Sequence, residues 1–344
     1  MPLMTQTSQT LRVTVRNNEP WLDADGRIID AHEGNLRRYD GRFYYYGTRY
    51  GDTNGFTGFN QPVCYSSTDM SPGSWVNHGV ITPDAPPGLI FRPYVARSRA
   101  TGRFVMLYKH HPGPIDSSTP KAAMKPSPNF VVAVADEPTG PFLTHSARFE
   151  TMHPTQRHGD KDLFIDDDGT GYLVYTQWIN DPDAPRFLLS VEQLTPDLLA
   201  SAGRTSGWID QHVEAPSMFK REGRYYVTCG KCCAFCPQGS GSRVYLADHP
   251  LGPYQFTRNI NRVGGTNDGA IIVPGQETHV AQLPTPTGPA YVQIYDLWES
   301  APDGVKGHDL VYWTSPLRFD DRGWAEVIAW EDAWSLDVAP GDIE

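Results

Sequence analysis

The 344-residue sequence contains no long hydrophobic run, no excess of basic residues and no recognisable leader segment. No stretch approaches the roughly 18 consecutive apolar residues of a membrane-spanning helix, which argues against an integral membrane protein. Lys and Arg number 29 against 40 Asp and Glu, and this net charge of −11 argues against binding to nucleic acid or to an anionic membrane. Because the opening residues MPLMTQTSQTLRVTV lack an apolar segment, we expect a cytoplasmic protein, or an exported one whose leader has been removed.

Cysteine is also scarce, since the chain has only five, too few for a disulfide scaffold of the kind found in small secreted domains. Cys64 stands alone, and the other four, Cys229, Cys232, Cys233 and Cys236, fall within the segment TCGKCCAFC. A structural zinc ion normally draws two ligand pairs from separated segments, whereas these four thiols share one short loop. The segment therefore predicts a loop closed by one or two disulfides, with the adjacent pair as candidates, or a packed loop of reduced thiols. A metal site is the less favoured alternative.

Turns and aromatic residues are abundant, with 32 Gly, 30 Pro and 12% aromatic residues. Five segments combine a glycine turn with a short aromatic and β-branched run: DGRFYYYGT (40–48), TGRFVMLYK (101–109), DGTGYLVYT (168–176), EGRYYVTCG (222–230) and TGPAYVQIYDLW (287–298). A glycine turn between two apolar segments is typical of a β-hairpin. The recurrence of this hairpin at intervals of about 60 residues indicates five repeated units.

These repeats predict an all-β fold, a five-bladed β-propeller with an axial active-site pocket. A second shared segment, VVAVADEPTGPF (131–142) and RVYLADHPLGPY (243–254), supports the repetition. We expect a single domain over residues 1–344, with blades at roughly 20–80, 85–145, 155–205, 210–258 and 265–335, and we recognise no carbohydrate-binding module. A pair of β-sandwiches is the alternative.

Three carboxylates occupy equivalent places in three repeats. Glu33, Asp160 and Glu214 each precede the glycine of the following hairpin turn by eight or nine residues, which places them on the innermost strands of three blades. The innermost strands of a propeller surround one axis, so we expect these side chains to meet in one pocket. Two carboxyl groups with a water molecule between them perform inverting glycoside hydrolysis, and a third would raise the pKa of a neighbouring acid.

The chain resembles glycoside hydrolase family 43, the five-bladed propellers, and within it the branches that contain exo-β-1,3-galactanases and related galactosidases. The resemblance covers roughly residues 20–318 and is carried by AHEGNLRRYDGRFYYYGT, VCYSSTDM, FRPYVA, DLFIDDDGTGYLVY, EAPSMFKREGRYYV, ADHPLGPY, GQETHVAQL and DGVKGHDLVYW. It implies an inverting, exo-acting glycosidase on galactose- or arabinose-containing glycans. It implies no required cofactor, although relatives often hold a calcium or sodium ion on the axis, so an axial calcium ion is also expected.

The resemblance assigns roles residue by residue. Glu214 matches the general acid, and Asp160 matches the aspartate that modulates the pKa of that acid. Glu33 falls where the wider family has its base Asp, whereas many galactanase relatives have Gly there and rely on a later Gln. Gln276 matches that Gln, so two candidates for activating water are present. We favour Glu33, because a carboxylate is a far better base than an amide at neutral pH.

Five further residues are expected to bind substrate: His32, Arg92, Trp178, Gln276 and Trp298. Arg92 would donate to sugar hydroxyls, with a structural bridge between blades as the alternative. Tyr46, like the two tryptophans, would stack on sugar faces, unless it packs in the core. Phe91 replaces a Glu that contacts the sugar in the galactanase relatives, which puts specificity for 1,3-galactan in doubt.

We therefore expect a carbohydrate substrate and no nucleic-acid or membrane partner. Two functions from other classes remain as alternatives at this point. One is a carbohydrate-binding propeller without turnover, which the changed base and Phe91 would suit. The other is a thiol–metal protein that uses the cysteine-rich segment.

Overall fold

The computed structural model describes residues 10–116, 118–119, 122, 127–153, 157–179, 186–231 and 235–343. The regular structure is almost entirely β and forms five consecutive antiparallel sheets, which confirms the prediction of an all-β, five-bladed propeller. Within the described residues, no helix has both the length and the apolar character needed to cross a membrane. That residues 1–344 form a single domain stays a prediction.

The strands of each blade pair in chain order. Strand β1 (Leu11–Arg16) precedes the blades, and β22 (Ala333–Val338) follows them. Blade I contains β2 (Leu36–Tyr39), β3 (Arg42–Arg49), β4 (Gln61–Ser67) and β5 (Val76–Val80), and blade II contains β6 (Gly88–Arg97), β7 (Phe104–Pro112), β8 (Asn129–Ala135) and β9 (Leu143–Ser146). Blade III contains β10 (Arg157–Ile165), β11 (Gly171–Ile179), β12 (Arg186–Leu194), β13 (Ser201–Thr205) and β14 (Asp210–Gln211); blade IV contains β15 (Val213–Arg221), β16 (Arg224–Lys231), β17 (Arg243–Ala247) and β18 (Gln255–Asn259); and blade V contains β19 (Gln276–Thr285), β20 (Gly288–Leu297) and β21 (Leu310–Trp313). Strand β22 pairs antiparallel with β1. The first strands contact one another from blade II through blades III, IV and V to blade I, and between blades I and II the second strand β3 contacts β6, so that these strands surround the central channel.

The hydrophobic core consists of apolar layers between neighbouring blades. Tyr46 belongs to the layer between blades I and II, where it is fully buried and its hydroxyl donates to the backbone oxygen of Pro138 at 2.7 Å. It therefore packs in the core and is not a platform for sugar stacking. The layer between blades V and I also takes in Val13 and Val15 of β1 and Trp334 of β22. The first and last strands thus help to close the ring.

The side chain of Arg37, on the innermost strand of blade I, extends into the middle of the propeller and is 2% exposed. Its Nε donates to the backbone oxygen of Val95 in blade II at 2.9 Å, and its NH2 donates to that of Leu163 in blade III at 2.7 Å. Its NH1 lies 3.3 Å from Nε2 of His279 in blade V. One guanidinium therefore joins the innermost strands of four blades.

His279 continues this axial network. Burial lowers the pKa of His279, which favours a neutral ring that accepts from Arg37 at Nε2. The other ring nitrogen, Nδ1, lies 3.3 Å from Oδ2 of Asp162, which also accepts from the hydroxyl of Ser217 in blade IV at 2.6 Å. Through Arg37 and His279, all five blades contribute to one chain of buried polar contacts.

The residues around the axis do not fit the expected calcium ion. Calcium requires six to eight oxygen ligands, whereas here a guanidinium already occupies two inward-facing carbonyls and would repel a second cation. Across the part of the chain that the structure describes, no group of three or more His, Cys, Asp or Glu side chains is arranged to hold a metal ion. The axial cation of this propeller is thus an arginine side chain.

Replacing Arg37 tests this arrangement. Arg37→Met removes the side-chain donor to the carbonyl of Leu163 and leaves that of Val95 with the Asn35 amide, so we expect the free energy of unfolding to fall by about 1–3 kcal/mol. Urea unfolding measures this loss, with Arg12→Met as the control, because Arg12 forms an exposed ion pair with Asp337. Dialysis of the wild type against EDTA should leave its thermal midpoint unchanged. A midpoint that falls with EDTA and recovers with calcium would contradict this account.

Candidate active site

A cavity of about 260 Å³ lies where the innermost strands begin. The three carboxylates singled out from the sequence, Glu33, Asp160 and Glu214, all line it, together with Gln276 and Trp178. The carboxylate residues come from blades I, III and IV and are only 6%, 4% and 8% exposed, respectively. The fold therefore gathers the three predicted acidic residues into one nearly buried pocket.

Irregularities in the innermost strands direct these side chains. The pairing register shifts around Asp160 in β10, directly after Glu214 in β15 and around Arg92 in β6. Such bulges interrupt the alternation of a strand and re-aim a side chain, and they are common next to active sites. Pro93 and Pro216 lie inside two of these bulges, where a residue without an N–H leaves no ladder donor unpaired.

The backbone is also strained within two of these bulges and at Glu33. Glu33, Arg92 and Ala215 have φ angles of 57°, 54° and 53°, in the left-handed region that disfavours residues other than glycine. Beside Glu33, a Cβ at Gly34 would lie 1.8 Å from the backbone oxygen of Tyr46, so this position requires glycine. Strained residues of this kind cluster at functional sites, where the surrounding structure holds them in place.

Arg92 is the centre of the charge network behind the cavity wall. Its guanidinium Nε lies 3.2 Å from Oδ2 of Asp160 and 3.6 Å from Oε1 of Glu33. The other carboxylate oxygen of Asp160 lies 3.2 Å from Nζ of Lys109. Arg92 is 1% exposed, and buried charges are tolerated when they are paired in this way.

This network separates the protonation behaviour of the carboxylates. Burial alone would raise the pKa of Asp160, but Arg92 and Lys109 outweigh it and lower the pKa to about 2. Burial raises the pKa of Glu33, and Arg92 only partly opposes that shift. Burial would lower the pKa of Lys109, but the charges of Asp160 and Glu214 raise it above its usual value. The two carboxylates thus stabilise the charged form of Lys109.

Glu33 is held by three buried neighbours. The hydroxyl of Tyr50 donates to its Oε2 at 2.5 Å, and its backbone N–H donates to Oδ2 of Asp296 at 2.9 Å. His32 contacts Oδ1 of the same aspartate through Nδ1 at 3.1 Å. His32 is fully buried and is not among the residues that line the cavity, which it supports through its contact with Asp296, and its contact with substrate stays a prediction.

The two predicted tryptophans differ in position. Trp298 is 2% exposed and packs behind the wall, where its Nε1 donates to Oε1 of Gln276 at 2.9 Å, and its stacking on a sugar stays a prediction. Trp178 does line the cavity, and its ring packs against Phe187 at 4.8 Å and beneath the guanidinium of Arg157 at 5.2 Å. Of the two, only Trp178 is part of the cavity wall.

Sequence reasoning missed several residues of the site. Lys109 lies in the second strand of blade II, and Tyr50 directly follows that of blade I. The only signal was their position at or just after the ends of repeated aromatic runs. Besides Phe91, three phenylalanines that lie outside the repeated segments line the cavity, namely Phe56, Phe187 and Phe235.

The cysteine-rich segment is only partly described. Cys232 and Cys233 lie outside the described residues, so their predicted pairing stays untested. Cys236 takes part in a disulfide bond, whereas Cys64 and Cys229 are buried free thiols. A disulfide in this segment agrees with the predicted loop, while Cys229 remains reduced.

Comparison with known families gives one match. The sequence profile described as Glycosyl hydrolases family 43 matches residues 53–295, which is well over half of the chain. A curated relative, the arabinoxylan arabinofuranohydrolase of Bacillus subtilis (strain 168), is 24% identical over an alignment of 302 residues. That alignment covers 75% of this chain and 52% of the relative, so the chain spans about half the length of the curated protein that it matches.

Solved structures share the fold. A β-1,3-galactosidase of this family, BT3683 in complex with galactodeoxynojirimycin, superposes with a TM-score of 0.71 at 24% identity, covering 93% of this chain and 99% of that one. An exo-β-1,3-galactanase from Clostridium thermocellum, 1,3Gal43A, superposes with a TM-score of 0.73 at 21% identity, covering 96% and 68%. At these identities the likeness establishes the five-bladed fold.

The pairing of Arg92 with the carboxylates makes a testable prediction about stability. Arg92→Met leaves Asp160 and Glu33 buried without their shared cation, so we expect the free energy of unfolding at pH 7 to fall by about 3–5 kcal/mol. Asp160 has a lowered pKa in the folded state, so its contribution is present above the unfolded pKa near 4 and disappears as the pH falls toward 2. The deficit of the variant should therefore shrink at acidic pH.

Urea unfolding at a series of pH values from 7 to 3 measures this dependence. Arg103→Met is the control, because Arg103 forms an exposed pair with Asp136 and should cost less than about 1 kcal/mol at any pH. A deficit of Arg92→Met that does not change with pH would show that Arg92 stabilises the fold without acting on these carboxylates.

Proposed function

The chain belongs to glycosyl hydrolase family 43, and we propose on this basis that it hydrolyses glycosidic bonds at chain ends of galactose- or arabinose-containing glycans, with inversion at the anomeric carbon. The observation that carries the proposal is the meeting of Glu33, Asp160 and Glu214 in one nearly buried cavity. A water molecule and a glycosidic oxygen, placed between two carboxyl groups, are the reactants of a single displacement.

Glu214 is the proposed general acid. It donates a proton to the glycosidic oxygen as the bond to the anomeric carbon breaks, so that the leaving group departs as a neutral alcohol. Asp160, whose pKa is lowered to about 2, stays ionised throughout. Its fixed negative charge disfavours ionisation of a neighbouring carboxylic acid, and this is the role proposed for it.

Glu33 is the proposed general base. It removes a proton from water as the water oxygen attacks the anomeric carbon from the face opposite the leaving group. Its raised pKa makes it a stronger base than an exposed Glu, while Arg92 and the Tyr50 hydroxyl favour the ionised form that must accept the proton. Gln276, which has no basic group, would orient the same water molecule.

Trp178 is the proposed contact to the sugar. Arg92 is 1% exposed and does not line the cavity, so its proposed role is to orient Asp160 and Glu33 from behind the wall, and its expected donation to sugar hydroxyls stays a prediction. The ring of Trp178 offers a flat apolar face for the C–H side of a sugar ring.

The choice of sugar rests on the relatives. The curated relative is an arabinofuranohydrolase, and two of the similar solved structures are a β-1,3-galactosidase and an exo-β-1,3-galactanase, whose name supports the exo mode. Phe91 lines the cavity where the galactanase relatives carry a Glu. A sugar hydroxyl that would donate a hydrogen bond to such a Glu finds no acceptor at Phe91. Galactan is therefore a weaker candidate substrate than the structural likeness to the galactanases suggests.

A carbohydrate-binding propeller without turnover is the second candidate function. Phe91 favours it, because an apolar wall binds a sugar face without chemistry. The position of Asp160 between two cations argues against this candidate, because sugar binding alone does not require carboxylates with different pKa values, such as the lowered one of Asp160 and the raised one of Glu33.

Hydrolysis of a panel of aryl glycosides tests the proposal. The panel contains β-galactopyranoside, β-galactofuranoside, α-L-arabinofuranoside and β-xyloside, each assayed with the wild type and with Glu214→Gln. We expect turnover of at least one member and a loss of roughly 10²–10⁴-fold in Glu214→Gln, the range for a lost general acid. Glu222→Gln, on the exposed turn of the same blade, is the matched control and should retain full activity.

Natural oligosaccharides that end in the sugar of the active panel member are assayed next, because a good aryl leaving group needs less protonation by the acid. Retention of activity in Glu214→Gln on these substrates would contradict the assignment of the acid. Binding of sugars without turnover of any substrate, by a folded wild type, would favour the binding protein.

A further inference from the structure

The cysteine-rich loop between β16 and β17 contributes an aromatic residue to the cavity. Phe235 lines the cavity and is directly followed by Cys236, which is disulfide-bonded. We propose that Phe235, fixed by the Cys236 disulfide, is a positioning residue that holds Tyr50 and thereby the carboxylate of Glu33. This inference rests on the proposed function of Glu33 as the base.

The ring of Phe235 contacts residues from three other blades. It lies edge-on to Tyr50 of blade I, with ring centroids 5.4 Å apart and planes at 88°. It contacts Trp298 of blade V in the same way at 4.8 Å, and Phe91 of blade II at 6.0 Å. Each such contact contributes about 0.5–1.5 kcal/mol beyond the burial of apolar surface. One side chain of blade IV thus joins the walls of the cavity.

Two of these contacts are the direct supports of the water-activating candidates. Tyr50 donates to Oε2 of Glu33 at 2.5 Å, and Trp298 donates to Oε1 of Gln276 at 2.9 Å. Tyr50 is fully buried, so its hydroxyl stays on Glu33 only while the rings around it keep their places. Phe235 touches both supports from the cavity side, whereas the other ring that touches both, that of His32, does not line the cavity.

The backbone at Phe235 has a conformation that is unusual for a residue with a side chain. Phe235 has a φ angle of 51°, a left-handed conformation that costs a residue with a Cβ roughly 1–2 kcal/mol. A Cβ at Gly55, which itself has a φ of 79°, would lie 2.8 Å from the ring of Phe235, so the chain of blade I leaves room for this ring. A strained conformation persists only when its surroundings fix it, and the disulfide at Cys236 is the adjacent constraint.

Lys306 of blade V also contacts the ring of Phe235. Its Nζ lies 3.6 Å from the centroid of the Phe235 ring and 4.2 Å from that of Trp298. A partly desolvated ammonium over two aromatic faces is attracted to both. The ring of Phe235 is therefore in contact with both a cation and Tyr50, and these contacts restrict its tilt.

The test compares kinetic pH profiles of the wild type, Phe235→Ala, Phe235→Leu and Tyr50→Phe on the member of the aryl glycoside panel that is turned over. Burial raises the pKa of Glu33 and the Tyr50 hydrogen bond lowers it, so loosening that bond while Glu33 stays buried raises the pKa further, and the base is then protonated at a higher pH. We expect the acid limb of the kcat profile to move upward by roughly 0.5–1 pH unit in Phe235→Ala, the equivalent of one hydrogen bond. A fall in kcat of about 10–100-fold should accompany it.

Tyr50→Phe removes the hydrogen bond directly and should give the same shift of the acid limb. Phe235→Leu keeps the apolar volume and should lie between the wild type and Phe235→Ala. Phe187→Ala is the matched control, because Phe187 also lines the cavity but packs on Trp178. It should raise KM without moving the acid limb.

The disulfide is tested in the same assay. Dithiothreitol supplies two electrons and two protons and converts the disulfide to two thiols. Reduction of the wild type should move the acid limb in the same direction as Phe235→Ala, and Cys236→Ser should show that shift already, with no further response to dithiothreitol. An unshifted acid limb in folded Phe235→Ala or Phe235→Leu would overturn the inference.

Glu214→Gln, assayed in parallel, separates this inference from the proposed function. If Glu214→Gln loses activity and Phe235→Ala keeps the wild-type acid limb, only the role of Phe235 is wrong. If Glu214→Gln remains fully active on natural oligosaccharides, the assignment of the acid fails, and if the folded wild type turns over no substrate, the proposed function itself fails.

Discussion

The buried guanidinium of Arg92 makes the rest of the pocket possible. Three carboxylate residues lie in one cavity of about 260 Å³, and two of them, Glu33 and Asp160, share this cation. Without it, the desolvation of two anions and their mutual repulsion would far exceed any gain from packing. The strained backbone at Arg92 and the bulge around it are therefore features that place one charge at the centre of the site.

The same cation separates the tasks of the acidic residues. Asp160 lies between Arg92 and Lys109 and stays ionised, whereas the effect of burial on Glu33 is opposed by Arg92 without a second cation, and its pKa is raised. Two carboxyl groups whose environments push their pKa values apart are suited to different roles in one reaction. This difference is the physical basis for proposing an enzyme, because a surface that only binds sugar needs no such difference.

Local pattern explains what the sequence could predict. The repeated glycine turns fix where each blade begins, and so the shared offset of Glu33, Asp160 and Glu214 from those turns predicted one cavity, although their catalytic roles stay proposals. Tertiary packing determines the features of the site that the sequence did not indicate. Neither the offset nor the motifs indicated that His32 and Trp298 would lie behind the wall, or that Arg37 would take the axial position expected for calcium. Lys109, Tyr50 and Phe235 reach the site across blades, and only the folded chain brings them there.

The most direct test of the account is whether azide replaces the base. Glu33→Gly suits the left-handed backbone at that position and should fold, but it cannot activate water. Azide is a nucleophile that needs no base, so we predict that it restores turnover of an aryl glycoside by Glu33→Gly and yields the glycosyl azide of inverted configuration. Gln276→Ala should not respond. Rescue of Gln276→Ala and not of Glu33→Gly, or an azide of retained configuration, would contradict the account.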